Sequence, residues 1–256
     1  MIAGVTLILV TVAGCVPSLE DLEAIDYRPV AGLDWEASTA EAQGLDPLLV
    51  AGLYYQAARI ETTNSVLVIK NGKLIAEGYF NDGAIDFKDK IASVTKSFTS
   101  ALVGIAIDQG CLSSVDQKMM EFFPELVDQI TDPRKNQITI RQMLQMRAGY
   151  PWEESSAALF DLIYCGWRAS TLVDVHLVRD PGSDFDYSNL TSHLLAIIVA
   201  RACDTDLRPY AQEYLLTPIG AENGRLDHRL GIQPSRAWRH GTYGAGFGQV
   251  RPALSQ

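Results

Sequence analysis

Ser93 and Lys96 stand three residues apart in Ser93-Val94-Thr95-Lys96, where a polar start runs into a long apolar helical pattern ending at Gly110. Residues at this spacing in a helix share one face. The pattern therefore predicts a hydroxyl beside an amine, near the positive end of a helix dipole. A serine hydroxyl is a poor nucleophile until a neighbouring base takes its proton, and a deprotonated lysine amine can be that base or assist another. An isolated S-x-x-K is equally readable as an N-cap serine followed by a solvated lysine. Tyr187-Ser188-Asn189 begins 94 residues after Ser93, in a turn before a second apolar helix. A tyrosine there can share the serine's proton and pass it to a leaving group, while an asparagine amide can hold a substrate carbonyl or orient the lysine. The plain alternatives are a half-buried aromatic for Tyr187 and the N-cap of the next helix for Asn189. Tyr79-Phe80-Asn81 repeats the Y-x-N form where a strand should end.

The elements that must position these groups can be read from local patterns. Asp46 to Arg59 has helical spacing of Leu48, Leu49, Leu53 and Tyr54. Two β-rich runs flank Asn71-Gly72, the strongest short hairpin signal. Ser93 to Gly110 reads as a buried central helix with Gly110 past its end. Helical patterns follow at 116–123, at 139–146 with a Thr139/Gln142 capping box, at 156–167, at 172–178, at 190–203 and at 208–216. The hairpin needs further strands for stability, and none with a convincing pattern appears before residue 230.

The 256 residues are 47% hydrophobic and 20% charged, which suits one sizeable domain, alone or with a small lobe. A net charge of −10 argues against nucleic acid and against an anionic membrane surface as partners. Met1 to Gly14 is almost wholly apolar and ends at Cys15. Apolar residues, then small ones, then a cysteine resemble a bacterial lipoprotein signal, in which Cys15 would become the lipidated first residue. The resemblance lacks the positive charge that normally precedes the apolar region. It implies export, with a lipid anchor at a membrane surface and no spanning segment. Cys111, Cys165 and Cys203 are scattered and odd in number, so neither a disulfide framework nor a zinc site is expected.

Taken together, Ser93-Val-Thr-Lys96 within S-V-T-K-S-F-T-S-A-L-V-G, the upstream hairpin and Tyr187-Ser-Asn189 resemble the β-lactamase-related serine hydrolases. That group includes class C β-lactamases, D,D-peptidases, esterases and 6-aminohexanoate-oligomer hydrolases. Ile138-Thr-Ile-Arg-Gln-Met-Leu144 before Gly149, and Asp180-Pro-Gly182 leading into the tyrosine, fit the same pattern. The resemblance covers roughly residues 40 to 222. It implies an α/β (α+β sandwich) fold: an antiparallel β-lactamase/transpeptidase-like sheet with a large helical insertion. It also implies that Ser93 attacks an amide, lactam or ester carbonyl, that Lys96 and Tyr187 manage the proton, and that Asn189 contacts the substrate. The substrate would be a small molecule or peptide-like, with no metal or organic cofactor. A catalytically silent member acting as a binding or sensor domain is the alternative. By form alone Asn189-Leu190-Thr191 is a glycosylation sequon, and His193 reads as a structural residue of the following helix. His176 and His228 have no partner spacing for a triad.

The family's third motif, Lys-Thr-Gly or His-x-Gly on a late strand, has no good counterpart. His240-Gly241-Thr242 comes too early, and Gly244 to Gly248 lacks the flanking strand and helix of a phosphate loop. Residues 231–256 hold three arginines, five glycines and no acid, unlike the acidic remainder. One allowed coding of His240 to Ala253, read one base later, gives Met-Ala-Leu-Thr-Ala-Arg-Asp-Leu-Ala-Arg-Phe-Gly-Gln. That peptide has a helical pattern and is similar to the Thr-x-Arg-Asp-x-Ala-x-Phe-Gly segment of family members. The expectation is a signal segment over 1–15, a partial hydrolase domain over 16–230 and an out-of-frame tail over 231–256. The later strands would then be missing and turnover by this chain low.

Overall fold

Asn71 and Gly72 both adopt positive φ, 53° and 74°. That is the backbone of a two-residue mirror-image turn, whose twist matches its flanking strands. β1 (Ser65–Lys70) and β2 (Lys73–Tyr79) pair antiparallel with Lys70 opposite Lys73, and the register slips once between Val68 and Ile69. The hairpin forms where it was predicted. The structure, a computed structural model, describes residues 16–30, 35–87, 91–157, 171–223 and 250–252. It divides into two units, Met1–Phe87 with Leu254–Gln256, and Lys88–Ala253.

In the first unit, α1 (Leu19–Glu23) precedes α2 (Pro47–Ala57), whose first turn is capped by Asp46 accepting from the Leu48 N–H at 2.8 Å. Of the predicted stripe Leu48, Leu49, Leu53 and Tyr54, only Tyr54 is buried, and the three leucines are exposed. Val50, Ala51, Tyr54 and Ala57 point inward, and Leu49 is 75% exposed. The reason lies in β2. A Cβ at Gly78 would come within 2.6 Å of the Tyr54 ring, so a glycine admits this ring. The Tyr54 hydroxyl donates to the Val66 carbonyl at 2.9 Å. Helix and strand approach closely through small residues, which a count of leucines misses.

The second unit is built around α3 (Thr95–Asp108) and α6 (Asn189–Ala202), with α4 (Ile140–Leu144), α5 (Thr171–Asp174) and α7 (Leu207–Ala211). Leu102, Val103 and Ala106 of α3 share one core with Leu190, Leu194, Ile197 and Ile198 of α6. α3 ends as predicted, with Gly110 at φ 76° two residues past Asp108. It is not buried all round, however. Thr99, Leu102, Val103 and Ala106 are covered, while Ser97, Ser100, Ala101 and Gly104 are exposed. Those small residues recur at helical spacing and form a weakly polar stripe that a tally of charges overlooks. α6 is the enclosed helix, buried from Asn189 to Ala200 except at Ser192.

The capping box is present: Thr139 accepts from the Gln142 N–H, and the Gln142 side chain accepts from the Thr139 N–H. Where a helix was expected over 116–123, an extended bridge joins Lys118 to Thr139 and only a 3₁₀ turn, Met119–Phe122, follows. Lys135 is almost wholly buried and donates to the Leu172 and Val173 carbonyls at 2.8 and 2.7 Å. Burial pushes its ammonium pKa down. Most of the helix expected over 156–167 lies outside the described residues.

Two findings correct the sequence reading. Cys111 and Cys203 form a disulfide, with Cα atoms 5.0 Å apart. The three cysteines beyond Cys15 cannot all pair with one another, but two of them can. Three-residue strands β3 (Ala221–Asn223) and β4 (Val250–Pro252) also pair antiparallel, too short for an alternating pattern to reveal. Among the described residues, no helix is long and apolar enough to cross a membrane.

Candidate active site

A single 3₁₀ turn, Ala92–Val94, leads directly into α3 and carries Ser93. The residue before the serine is strained: Ala92 has φ 40°, a left-handed conformation that costs a side-chain-bearing residue about 1–2 kcal/mol. Its carbonyl is held by the Thr95 hydroxyl, which donates to it at 2.6 Å. Strain of this kind persists only where surrounding contacts over-determine it, and it concentrates at functional sites.

Lys96 occupies the first turn of α3. Its Nζ donates to Ser93 Oγ at 3.1 Å and to Asn189 Oδ1 at 2.7 Å. The Tyr187 hydroxyl donates to the same Ser93 Oγ at 2.6 Å, and Lys96 Nζ lies 4.8 Å from the centre of the Tyr187 ring. The serine oxygen is therefore held between an amine and a phenol, contributed by two segments 94 residues apart in the chain. All four residues singled out for chemistry meet here. Cys15 lies outside the described residues.

The asparagine is available for this contact because its neighbour takes the capping role. Ser188 is the N-cap of α6, accepting from the Thr191 N–H at 3.1 Å. Asn189 becomes the first helical residue, and its amide turns to Lys96 rather than to the helix end. Underneath, Glu153 is completely buried. One of its oxygens accepts from Ser188 Oγ and the Leu190 N–H at 2.7 and 2.8 Å, and the other accepts from the Asn189 N–H at 2.9 Å. A carboxylate at a helix start both satisfies free N–H groups and complements the dipole. Glu154, the next residue, accepts from Asn189 Nδ2 at 3.0 Å.

His193 lies one turn further along α6, also buried. Burial chiefly, and then the nearby Lys96 charge, pull its imidazole down to a pKa of about 4. It is neutral at ordinary pH. The sequence reading treated His193 as structural and missed Glu153 and Glu154. Two adjacent acids after a glycine-proline break carry no signal of a partner 35 residues later.

Ser93, Lys96 and Tyr187 together suit proton transfer and nucleophilic attack, since each reacting heteroatom lies within hydrogen-bond reach of the next. Among the described residues, no cluster of His, Cys, Asp and Glu could hold a metal ion.

The Beta-lactamase family model matches residues 58–255. Beta-lactamase-like protein 2 of Dictyostelium discoideum is 29% identical over 144 residues, 54% of this chain and 26% of that protein. The 6-aminohexanoate-dimer hydrolase of Paenarthrobacter ureafaciens is 26% identical over 175 residues, 62% of this chain and 43% of that enzyme. The chain thus spans less than half the length of either relative. Among solved structures, the octameric penicillin-binding protein homologue from Pyrococcus abyssi aligns with a TM-score of 0.57, covering 82% of this chain and 54% of that one at 19% identity. That likeness shows a β-lactamase/transpeptidase-like fold.

Proposed function

The chain belongs to the beta-lactamase family, and from that premise we propose that it is a serine hydrolase working through an acyl-enzyme on an amide, lactam or ester carbonyl. The observation that carries the reading is the position of Ser93 Oγ, bonded at once to Lys96 Nζ and to the Tyr187 hydroxyl. Attack of Oγ on the carbonyl carbon forms a new C–O bond as the serine proton passes to the Lys96–Tyr187 pair. Collapse of the tetrahedral intermediate breaks the bond to the leaving amine or alcohol, which takes that proton through Tyr187. Water then attacks the ester on Ser93, giving its proton back through the same pair and releasing the acid. The Ser93 backbone N–H, in the turn that leads into α3, would serve as one oxyanion donor. Asn189 would contact the substrate while holding Lys96 in place.

We extend the proposal to location. The Cys111–Cys203 bridge fits an oxidising compartment and supports the export expected from the apolar leader and lipidation at Cys15.

The test is labelling with a fluorescent penicillin and hydrolysis of a p-nitrophenyl ester, each compared with Ser93→Ala. Labelling that the substitution abolishes supports the acyl-enzyme. A label that persists without turnover favours the binding or sensor reading. Equal behaviour of the parent and Ser93→Ala would remove Ser93 as the nucleophile.

A further inference from the structure

Asn189 makes two side-chain hydrogen bonds of opposite sense. Its Oδ1 accepts from Lys96 Nζ at 2.7 Å, and its Nδ2 donates to Glu154 Oε1 at 3.0 Å. A carboxamide is pseudo-symmetric, and rotation by half a turn exchanges oxygen for NH2 at almost no cost in shape. Flipped, the amide would turn two N–H hydrogens toward the Lys96 amine and leave Glu154 facing an acceptor. A carboxylate accepts only, so Glu154 tolerates one of the two orientations. The backbone beneath is fixed separately, by buried Glu153 bonded to Ser188 Oγ and to the Asn189 and Leu190 N–H groups. The two acids are adjacent in sequence and hold different degrees of freedom of one residue.

We propose that Glu154 is a positioning residue for this site: by accepting from Asn189 Nδ2 it locks the amide so that Oδ1 faces Lys96 Nζ, and so keeps the lysine against Ser93. This rests on the serine-hydrolase reading above. An amide NH2 carries two hydrogens, so the bond to Glu154 uses only one and leaves the other for a substrate oxygen. The bond is charge-assisted, and such bonds are stronger and more directional than neutral ones. Glu154 is itself exposed, in contrast to Glu153. Substitutions at 154 therefore remove no buried side chain, and comparing the denaturant midpoints of variant and parent separates a loss of rate from a loss of fold.

The proposal predicts different outcomes for two substitutions. Glu154→Ala removes the acceptor and should slow labelling of Ser93 by the fluorescent penicillin about tenfold to a hundredfold, the range expected for misplaced reacting groups. Its rate-against-pH profile should also shift, because Lys96 loses a fixed partner. Glu154→Gln keeps a carbonyl that can accept the same N–H but adds an NH2 that can pair with a flipped amide, so its loss should be clearly smaller than that of Glu154→Ala without full recovery of the parent rate. An independent readout is the Asn189 side-chain NH2 resonance in the full chain, assigned by its loss in Asn189→Asp. It should move upfield in Glu154→Ala and less far upfield in Glu154→Gln. Parent-like labelling rate, pH profile and NH2 resonance in Glu154→Ala would overturn the proposal. So would equal losses of rate in the Ala and Gln variants. Failure of the serine-hydrolase reading has another signature: Ser93→Ala would match the parent in labelling and hydrolysis, while the Asn189 resonance would still move in Glu154→Ala.

Discussion

His193 ties the site to the stability of the fold through a proton. With a pKa of about 4 in the folded chain against about 6.5 when unfolded, it is neutral in the native state where the unfolded chain binds a proton. Stability linked to this residue is complete above about pH 6.5 and is lost as pH falls from there to about 4. A difference of that size corresponds to at most about 3 kcal/mol. His193→Leu should therefore flatten the fall in stability between pH 6.5 and 4.5, as denaturant midpoints for variant and parent would show. An equal fall in both proteins would mean that other groups control acid sensitivity. Ser93, Lys96, Tyr187 and Asn189 were all legible in the sequence, because two short motifs in the right order suffice to suggest them. Glu153, Glu154 and Ala92 were not. Their importance lies in which atoms they face across the fold, and a carboxylate's residue type does not encode its partner.

At the scale of elements, what was legible was local. Asn71-Gly72 sets its own turn through positive φ, and Thr139 with Gln142 closes its own cap, so neither depends on distant packing. Thr139→Ala should cost about 1 kcal/mol, the usual worth of an N-cap, measurable by urea unfolding. A negligible change would show that the extended bridge between Lys118 and Thr139 fixes this helix start unaided. Where burial depends on a partner element, the sequence misleads. Tyr54 settles against Gly78, and that choice turns Leu49 outward. α3 and α6 both read as apolar helices, yet only α6 is enclosed. The same ambiguity attended Asn189 as cap or site residue, and it was resolved by Ser188 taking the cap.

In the second unit as a whole, the main departure from expectation is the Cys111–Cys203 bridge. It closes a separation of 92 residues, for which loop-closure entropy gives at most about 4–5 kcal/mol of stabilisation. Cys111→Ser should lower the denaturant midpoint, and reductant should then have little further effect on the variant while it weakens the parent. Insensitivity of the parent to reductant would show that the bridge contributes little. Buried Lys135 adds a second long-range tie, between the turn that carries it and the start of α5, again invisible in the sequence because a lysine is usually a surface residue.

The bridge has one more consequence, seen by following the covalent path. Cys111 lies just beyond the end of α3 and Cys203 just beyond the end of α6, while Ser93 and Asn189 sit at the opposite ends of the same two helices. The chain between the two cysteines, including Glu153, Glu154 and Tyr187, is a closed ring. A protease that cuts once anywhere from residue 112 to 186 opens the ring without severing the molecule, so the nucleophile and the motif that serves it stay joined through sulfur.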